Sequence, residues 1–450
     1  MSAGNLIRNA LGASQAASLA AFAPGLVALR PAAKAEMSRT DKPVHRCRFC
    51  AAGLSETFVD LGMSPLSNSF IPPEHADTME KFYPLHAYVC SDCRLVQLRQ
   101  FETPDHIFSD YLYFSSYSDT WLRHAAAYAR AMTERLHLGP HSSVIEVASN
   151  DGYLLQYFHA DGIPVLGIEP AENVARVARG KGIRTMSQFL GRATAAAIAR
   201  DRRADLLVAN NVLAHVPDIN DFTAGLATLL APEGVLTVEF PHLLRLIEQT
   251  QFDTIYHEHF SYLSLLAVER IFAHHGLVVF DVDELPTHGG SLRVYARRGK
   301  ARAVPTERLA KLRADEAQAG LDGPDAYRDF AERVSSLRCD IVEFFVHARR
   351  TGKSVAGYGA PAKGNTLLNA CGIRPDLLGF TVDRSPHKQG MFLPGTHIPI
   401  YDPNAIMAAR PDYLFILPWN LRDEVMQQMA GIRDWGGKFV VPIPRIEIIP

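Results

Sequence analysis

The feature that most constrains this chain is a run of alternating strand and helix signals over residues 142–242. "SSVIEVA" is a short apolar strand ending in a turn, and "YLLQYFHADG" is a helix stopped by Gly162. "PVLGIEP", "ADLLVANNVLAHV" and "VLTVEFPH" repeat the strand, while "AENVARVARGKG" and "FTAGLATLLAPEG" supply helices between them. Fully apolar strands joined by helices of this length predict a doubly wound parallel sheet, covered on both faces. Ahead of it, residues 119–136 predict an amphipathic helix, with Leu122, Ala126, Ala129 and Met132 near helical spacing. "HGGSLRVYARR" predicts a later strand, and residues 306–350 are largely helical. A second α/β unit begins at "KSVAGYGAPAKGNTLLNACG" and runs to the C-terminus. The expected class is α/β, in three parts. A small module covers 44–118, a Rossmann-like domain 119–300, and a helical connection with a second Rossmann-like domain 301–450.

The small module carries "CRFC" and "CSDC" in a segment poor in helical periodicity. Two Cys-x-x-Cys pairs can close a tetrahedral site, so Cys47, Cys50, Cys90 and Cys93 are read as ligands of a structural zinc ion. Four sulfur ligands leave no open position for catalysis. Metal rather than disulfides implies a reducing, cytoplasmic setting.

Net charge is −2 over 450 residues, which argues against nucleic-acid binding. No apolar run reaches the ~20 residues of a membrane span. The first 36 residues are rich in Ala, Ser and Leu, but Ser18, Pro24 and Gly25 interrupt the apolar part. They read as a disordered extension rather than a targeting segment, and Met37 opens an ordinary start.

"VIEVASNDGYLL" lies at the carboxyl end of the first strand, where an open α/β sheet binds its ligand. A dinucleotide loop needs Gly-x-Gly-x-x-Gly, whereas Ala148 and Asn150 stand here, flanked by Glu146 and Asp151-Gly152. Carboxylates around the turn suit a cationic ligand with an amino-acid portion, such as S-adenosylmethionine. Glu169 ends the second strand, placed to accept two ribose hydroxyls, and Asn210 and Asn211 end the third.

"DTIYHEHFSYLS" gathers Tyr256, His257, Glu258 and His259. On an extended segment His257 and His259 would point the same way and could start a metal site, but a third ligand is missing. Proton transfer is preferred over that metal site and over a solvated structural turn. "THGGSLRVY" puts His288, Gly289 and Gly290 before a strand, where glycines allow close approach of a ligand. In "GYGAPAKGN", Lys363 and Asn365 enter a helix after a glycine turn, a setting that can hold a diphosphate. No ribose-binding acid is obvious beyond it, which favours a sugar nucleotide over NAD.

These motifs, in this order, resemble the C-methyltransferases that act on nucleotide-linked 4-keto-deoxysugars. The resemblance runs from about Cys47 to the C-terminus. It implies a zinc module on the four cysteines, a class I S-adenosylmethionine domain, and a C-terminal domain that helps bind the sugar nucleotide. It places His259 as the base that removes the proton α to the ketone, with Tyr256 and Glu258 beside it. A tyrosine from "DYLYFSSYSDTW" also reaches the site in that family, and Tyr113 is assigned to it from among Tyr111, Tyr113 and Tyr117. Carbon 3 and carbon 5 both neighbour a 4-ketone, and no motif chooses between them. Two other readings stand beside this one. One is a methyltransferase acting on another small molecule, RNA or protein. The other is a non-catalytic protein that binds nucleotide sugars.

Overall fold

The structure, a computed structural model, describes residues 45–103, 115–117, 119–299 and 304–450. The extension at 1–36 and Tyr113 lie outside these. The apolar strands of the middle region assemble into a seven-stranded sheet. Its spatial order is Leu277–Leu285, Ser291–Arg298, Leu230–Pro241, Ala204–Asn210, Val144–Val147, Val165–Ile168 and Thr185–Met186. Ser291–Arg298 runs antiparallel to both neighbours, and the other ladders are parallel. Every residue of Val144–Val147 is buried, as a central strand covered on both faces requires. Asp218 caps the helix Ile219–Leu229 by accepting from Asp221 N, and Gly162 and Gly182 end helices at positive φ.

The helix Leu265–His274 and the strand Leu277–Leu285 were not expected from the pattern. The strand hides because Asp281, Asp283 and Glu284 interrupt its apolar face and a register shift falls between Val279 and Asp281. Asp281 is held there by Arg135 and Arg308, at 2.7 and 2.6 Å.

The cysteine-bearing module forms a four-stranded antiparallel sheet, ordered Ser261–Tyr262, Val96–Leu98, Tyr83–Val89, Glu56–Ser64. Its outermost strand comes from the middle region: Ser261 pairs Gln97 and Tyr262 pairs Val96. The segment read for proton transfer is thus stitched to the zinc module by backbone hydrogen bonds.

The C-terminal sheet has the order Ile400–Tyr401, Thr381–Val382, Val355–Tyr358, Tyr413–Ile416, Lys438–Val441, Glu447–Ile449, with the last strand antiparallel. Two helices precede it, Glu307–Gln318 and the 26-residue Asp325–Arg350. The longer one buries Tyr327, Phe330, Val334, Leu337, Ile341 and Phe345, a three–four spacing that makes one continuous stripe. Phe330 stacks on Phe58 of the module with ring centroids 4.4 Å apart. One apolar core therefore runs from the module strands through Leu243–Ile247 and this helix into the C-terminal sheet. Cys47, Cys90 and Cys93 belong to the other side, packing with the seven-stranded sheet. Among the described residues, no helix is long and apolar enough to cross a membrane.

Candidate active site

The two cysteine knuckles are built alike. In each, the residue after the second cysteine is left-handed: Ala51 (φ 63°) and Arg94 (φ 64°). Ala51 N–H donates to the Cys47 carbonyl at 2.9 Å, and Arg94 N–H to the Cys90 carbonyl at 3.0 Å. The four sulfurs lie within 4.8 Å of one another, with Cys47–Cys93 and Cys50–Cys90 at 3.5 Å. A tetrahedron with Zn–S bonds of ~2.3 Å has edges of ~3.8 Å, so the thiolates fit zinc. Gln97 Nε2 donates to Cys47 Sγ at 3.1 Å and steadies that ligand.

At the carboxyl end of the seven-stranded sheet, the loop after Val147 takes the backbone that glycines usually supply. Ala148, Asn150 and Gly152 all have positive φ (55°, 48° and 76°). Glu169 accepts from Asn150 N at 2.9 Å and from Ala171 N at 2.9 Å, tying the first and second strand ends together. Asn150 Oδ1 accepts from Ser115 N at 2.9 Å, and Asp151 is held by Ser116 Oγ and by Lys181, 3.2 Å away. Asn150, Asp151 and Gly152 thus shape the loop; Gly152 faces Ile183 and Ala178 rather than open space. Burial raises the carboxyls of Glu169 and, much further, Glu146. Asn210 Oδ1 and Asn211 Oδ1 are buried acceptors without a partner among the described residues. Buried acceptors left unfilled around one loop fit a ligand rich in N–H and O–H donors, as S-adenosylmethionine is.

The "YHEH" residues do not share a direction, because the segment is a turn and not a strand. His257 Nε2 faces the Pro84 carbonyl at 3.3 Å and its ring meets Tyr83 and Phe101, so it packs on the zinc module. Glu258 Oε2 accepts from Asn68 Nδ2 at 2.8 Å, and burial raises its carboxyl to about 7. His259 turns the other way. Its Nδ1–H donates to the Thr254 carbonyl at 3.0 Å, since a carbonyl can only accept. That fixes the tautomer and leaves the Nε2 lone pair free. The ring lies 3.9 Å from Tyr256 and 4.6 Å from His215 between centroids. Burial, with the nearby His215, drives the His259 pKa well below the ordinary imidazole value, so the ring is a neutral base. His215 itself, lowered to about 4 by burial, is anchored at 2.8 Å on the Glu258 carbonyl. Among the described residues, the four cysteines are the only group of three or more close metal-ligating side chains.

Three family models match in order: the zinc binding domain at residues 47–108, the methyltransferase domain at 121–282, and the C-methyltransferase C-terminal domain at 286–444. Solved structures are similar over part of the chain. An S-adenosylmethionine-dependent methyltransferase from Clostridium acetobutylicum is 10% identical, covering 43% of this chain and 97% of that one, with a TM-score of 0.32. Magnesium protoporphyrin IX methyltransferase from Synechocystis is 16% identical, covering 43% and 88%, with a TM-score of 0.31. C-methyltransferase NovU from Streptomyces niveus is 36% identical over 409 residues, which span 91% of this chain and 97% of that protein. The chain belongs to the C-methyltransferase family. It is an S-adenosylmethionine-dependent C-methyltransferase with a zinc-binding module.

Near His259 in this C-methyltransferase stand residues that the sequence pattern only partly revealed. His288 sits at positive φ (56°), and burial, then the charge of Lys363, lowers it to about 4. Behind it lies a cluster that no motif signalled. Glu239, fully buried, pairs with Arg293 at 2.7 Å and accepts from His124 Nε2 and Thr287 Oγ1, each at 3.2 Å. Its one sequence signal is a carboxylate inside the apolar strand "VLTVEFP".

Three expectations need correction. Gly289 does not open a path for ligand: a Cβ there would sit 2.5 Å from Trp419 Cη2, and one at Gly290 2.8 Å from Arg245 Cγ. Asn365 is 1% exposed and donates to the Ser67 carbonyl at 3.2 Å, so it joins the C-terminal helix to the zinc module instead of facing substrate. A strand-end acid is present, since Asp383 follows Thr381–Val382; no sequence pattern marks it, because that strand has only two residues. Asp383 accepts from Ala360 N and Ser385 N, both at 2.8 Å, and so closes the glycine turn itself. Replacing Gly289 by Ala is expected to destabilise the enzyme by about 1–3 kcal/mol through the Trp419 clash and the backbone strain at φ 90°. Thermal melting measures this, and an unchanged midpoint would show that Trp419 does not need the space.

Proposed function

We propose that this C-methyltransferase methylates the carbon α to the ketone of a nucleotide-linked, dTDP-type 4-keto-deoxysugar in the cytoplasm. The observation that carries this reading is the His259 imidazole, oriented by the Thr254 carbonyl with a neutral Nε2 left free. Methylation at carbon needs a carbanion equivalent, and a ketone makes the adjacent proton removable by such a base. Tyr256, whose ring is 3.9 Å from His259, is the proposed hydroxyl partner of the sugar; Tyr113 is proposed beside it, on the family resemblance. Glu258 holds the segment in place through Asn68. S-adenosylmethionine, when bound, supplies a methyl group already activated on sulfonium. Glu146, Ala148, Asn150, Asp151, Gly152, Glu169, Asn210 and Asn211 are proposed to form its site. His288 and Lys363 are proposed to face the sugar nucleotide, a small-molecule partner that matches the second α/β unit and the near-neutral charge.

The test is incubation with S-adenosylmethionine and a panel of nucleotide-linked 4-keto sugars, with the product's methyl position read by NMR. Methyl transfer to carbon 3 or carbon 5 of one panel member is the expected result. Transfer only to RNA, protein or sugars without a ketone would overturn the proposal.

A further inference from the structure

We infer that Lys363 is a further catalytic residue: its ammonium stabilises the enolate oxygen that forms when His259 takes the substrate's α-proton. The inference rests on the ketone reading above. The helix Ala362–Cys371, which carries Lys363 in its first turn, packs on the turn Phe252–Thr254. Thr254 is the residue whose carbonyl orients His259, so base and lysine hang from one support.

The lysine is held, not loose. Nζ donates to Asn420 Oδ1 at 2.9 Å and lies 4.7 Å from the centroid of the Trp419 ring. Trp419 is in turn fixed by Nε1–H donating to Asp253 Oδ2 at 2.7 Å and by the bare face of Gly289. One of the three ammonium protons is used by Asn420, which leaves two for a ligand. Burial lowers the lysine's pKa, and the Asp253 carboxyl opposes that fall. The charge is felt by His259 and His288, because it contributes to the lowering of both imidazoles. Those imidazoles are neutral, and Arg293 is already matched by Glu239 at 2.7 Å.

A diphosphate anchor was the simpler role for a lysine after a glycine turn. Here the turn is not prepared for an anion, because its Ala360 N–H is donated to the Asp383 carboxylate. The chemistry of the cleft needs a positive charge elsewhere. His259 Nε2 takes the proton; the C–H electron pair forms the carbon–carbon double bond; the carbonyl π pair moves to oxygen. An oxyanion beside these buried groups is costly without a fixed donor, and a preplaced ammonium is worth most there. When the carbon takes the methyl group, the carbonyl reforms and the sulfonium's C–S pair leaves on sulfur.

The experiment compares the wild type with Lys363→Met and Lys363→Gln, using the nucleotide 4-keto sugar on which the wild type acts. Three quantities are read: deuterium uptake at the α-carbon from D2O without S-adenosylmethionine, and the kcat and KM for the sugar nucleotide. Both variants are expected to lose about 10²–10³-fold in exchange and in kcat, with KM changed less than about threefold. A tenfold or larger rise in KM with exchange retained would make Lys363 a phosphate anchor and overturn the inference. Lys363→Gln retains a partner for Asn420, so it separates loss of charge from loss of packing. Wild-type enzyme inert to every ketone in the panel would instead defeat the functional reading, and this inference with it.

Discussion

His259→Asn is expected to lower kcat by about 10²–10⁴-fold, the range for losing a positioned general base, while S-adenosylmethionine binds as before. The ring touches His215 and Tyr256, and Asn can keep the hydrogen bond to the Thr254 carbonyl, so the fold is expected to survive. Deuterium exchange at the α-carbon should fall in parallel. The pH profile carries a second signature. His259 is depressed well below the ordinary imidazole value of about 6.5, so it stays neutral, and competent, as pH falls through 6. Any limb near pH 7 belongs to Glu258, which burial raises to about 7, and Glu258→Gln should remove that limb. Turnover of His259→Asn within threefold of wild type, or an acid limb near 6.5 that vanishes with His259, would refute this assignment.

Stripping zinc is expected to abolish activity altogether, although no sulfur ligand belongs to the catalytic cleft. Structural zinc contributes apparent binding energies of about 10–16 kcal/mol in small domains, as large as the whole stability of many proteins. Cys47, Cys90 and Cys93 are part of the methyltransferase core, so releasing the metal loosens that core directly. The damage reaches the base through the backbone. Val96–Leu98 follows the second knuckle and pairs with Ser261–Tyr262, two residues beyond His259. Chelation followed by metal-indicator titration, melting and activity should show the three quantities lost together. Activity and melting that persist after the metal has left would sink this expectation, and Cys90→Ser offers the same test without a chelator.

What could be read in the chain follows from how far apart the interacting residues are. The parallel strands were legible because burial on both faces makes each an apolar run, as in Val144–Val147. The zinc ligands and the "YHEH" segment were legible because their spacing is local. The module's hairpin was not: Glu56–Ser64 has two register shifts against Tyr83–Val89, which break the alternation a strand should show. The Glu239–Arg293–His124 cluster unites two strands and a helix, and the contact between Trp419 and Gly289 crosses the two α/β units. No short motif can encode either. His257 and His259 alternate in sequence but diverge in space, because a turn does not obey the strand's period of two.

The shared core has a consequence for anyone who wishes to recombine such enzymes. Module strands, the long helix Asp325–Arg350 and the C-terminal sheet bury one another, with Phe58 stacked on Phe330 and Asn365 bound to Ser67. The two ends of the chain are therefore inherited as a matched pair. A chimera that exchanges the C-terminal half alone would pair each half with a foreign surface, whereas one that exchanges residues 45–103 along with it moves both sides of the joint. The modular unit for exchanging the two ends of the chain is discontinuous in sequence, and its crossover points lie on either side of the methyltransferase sheet.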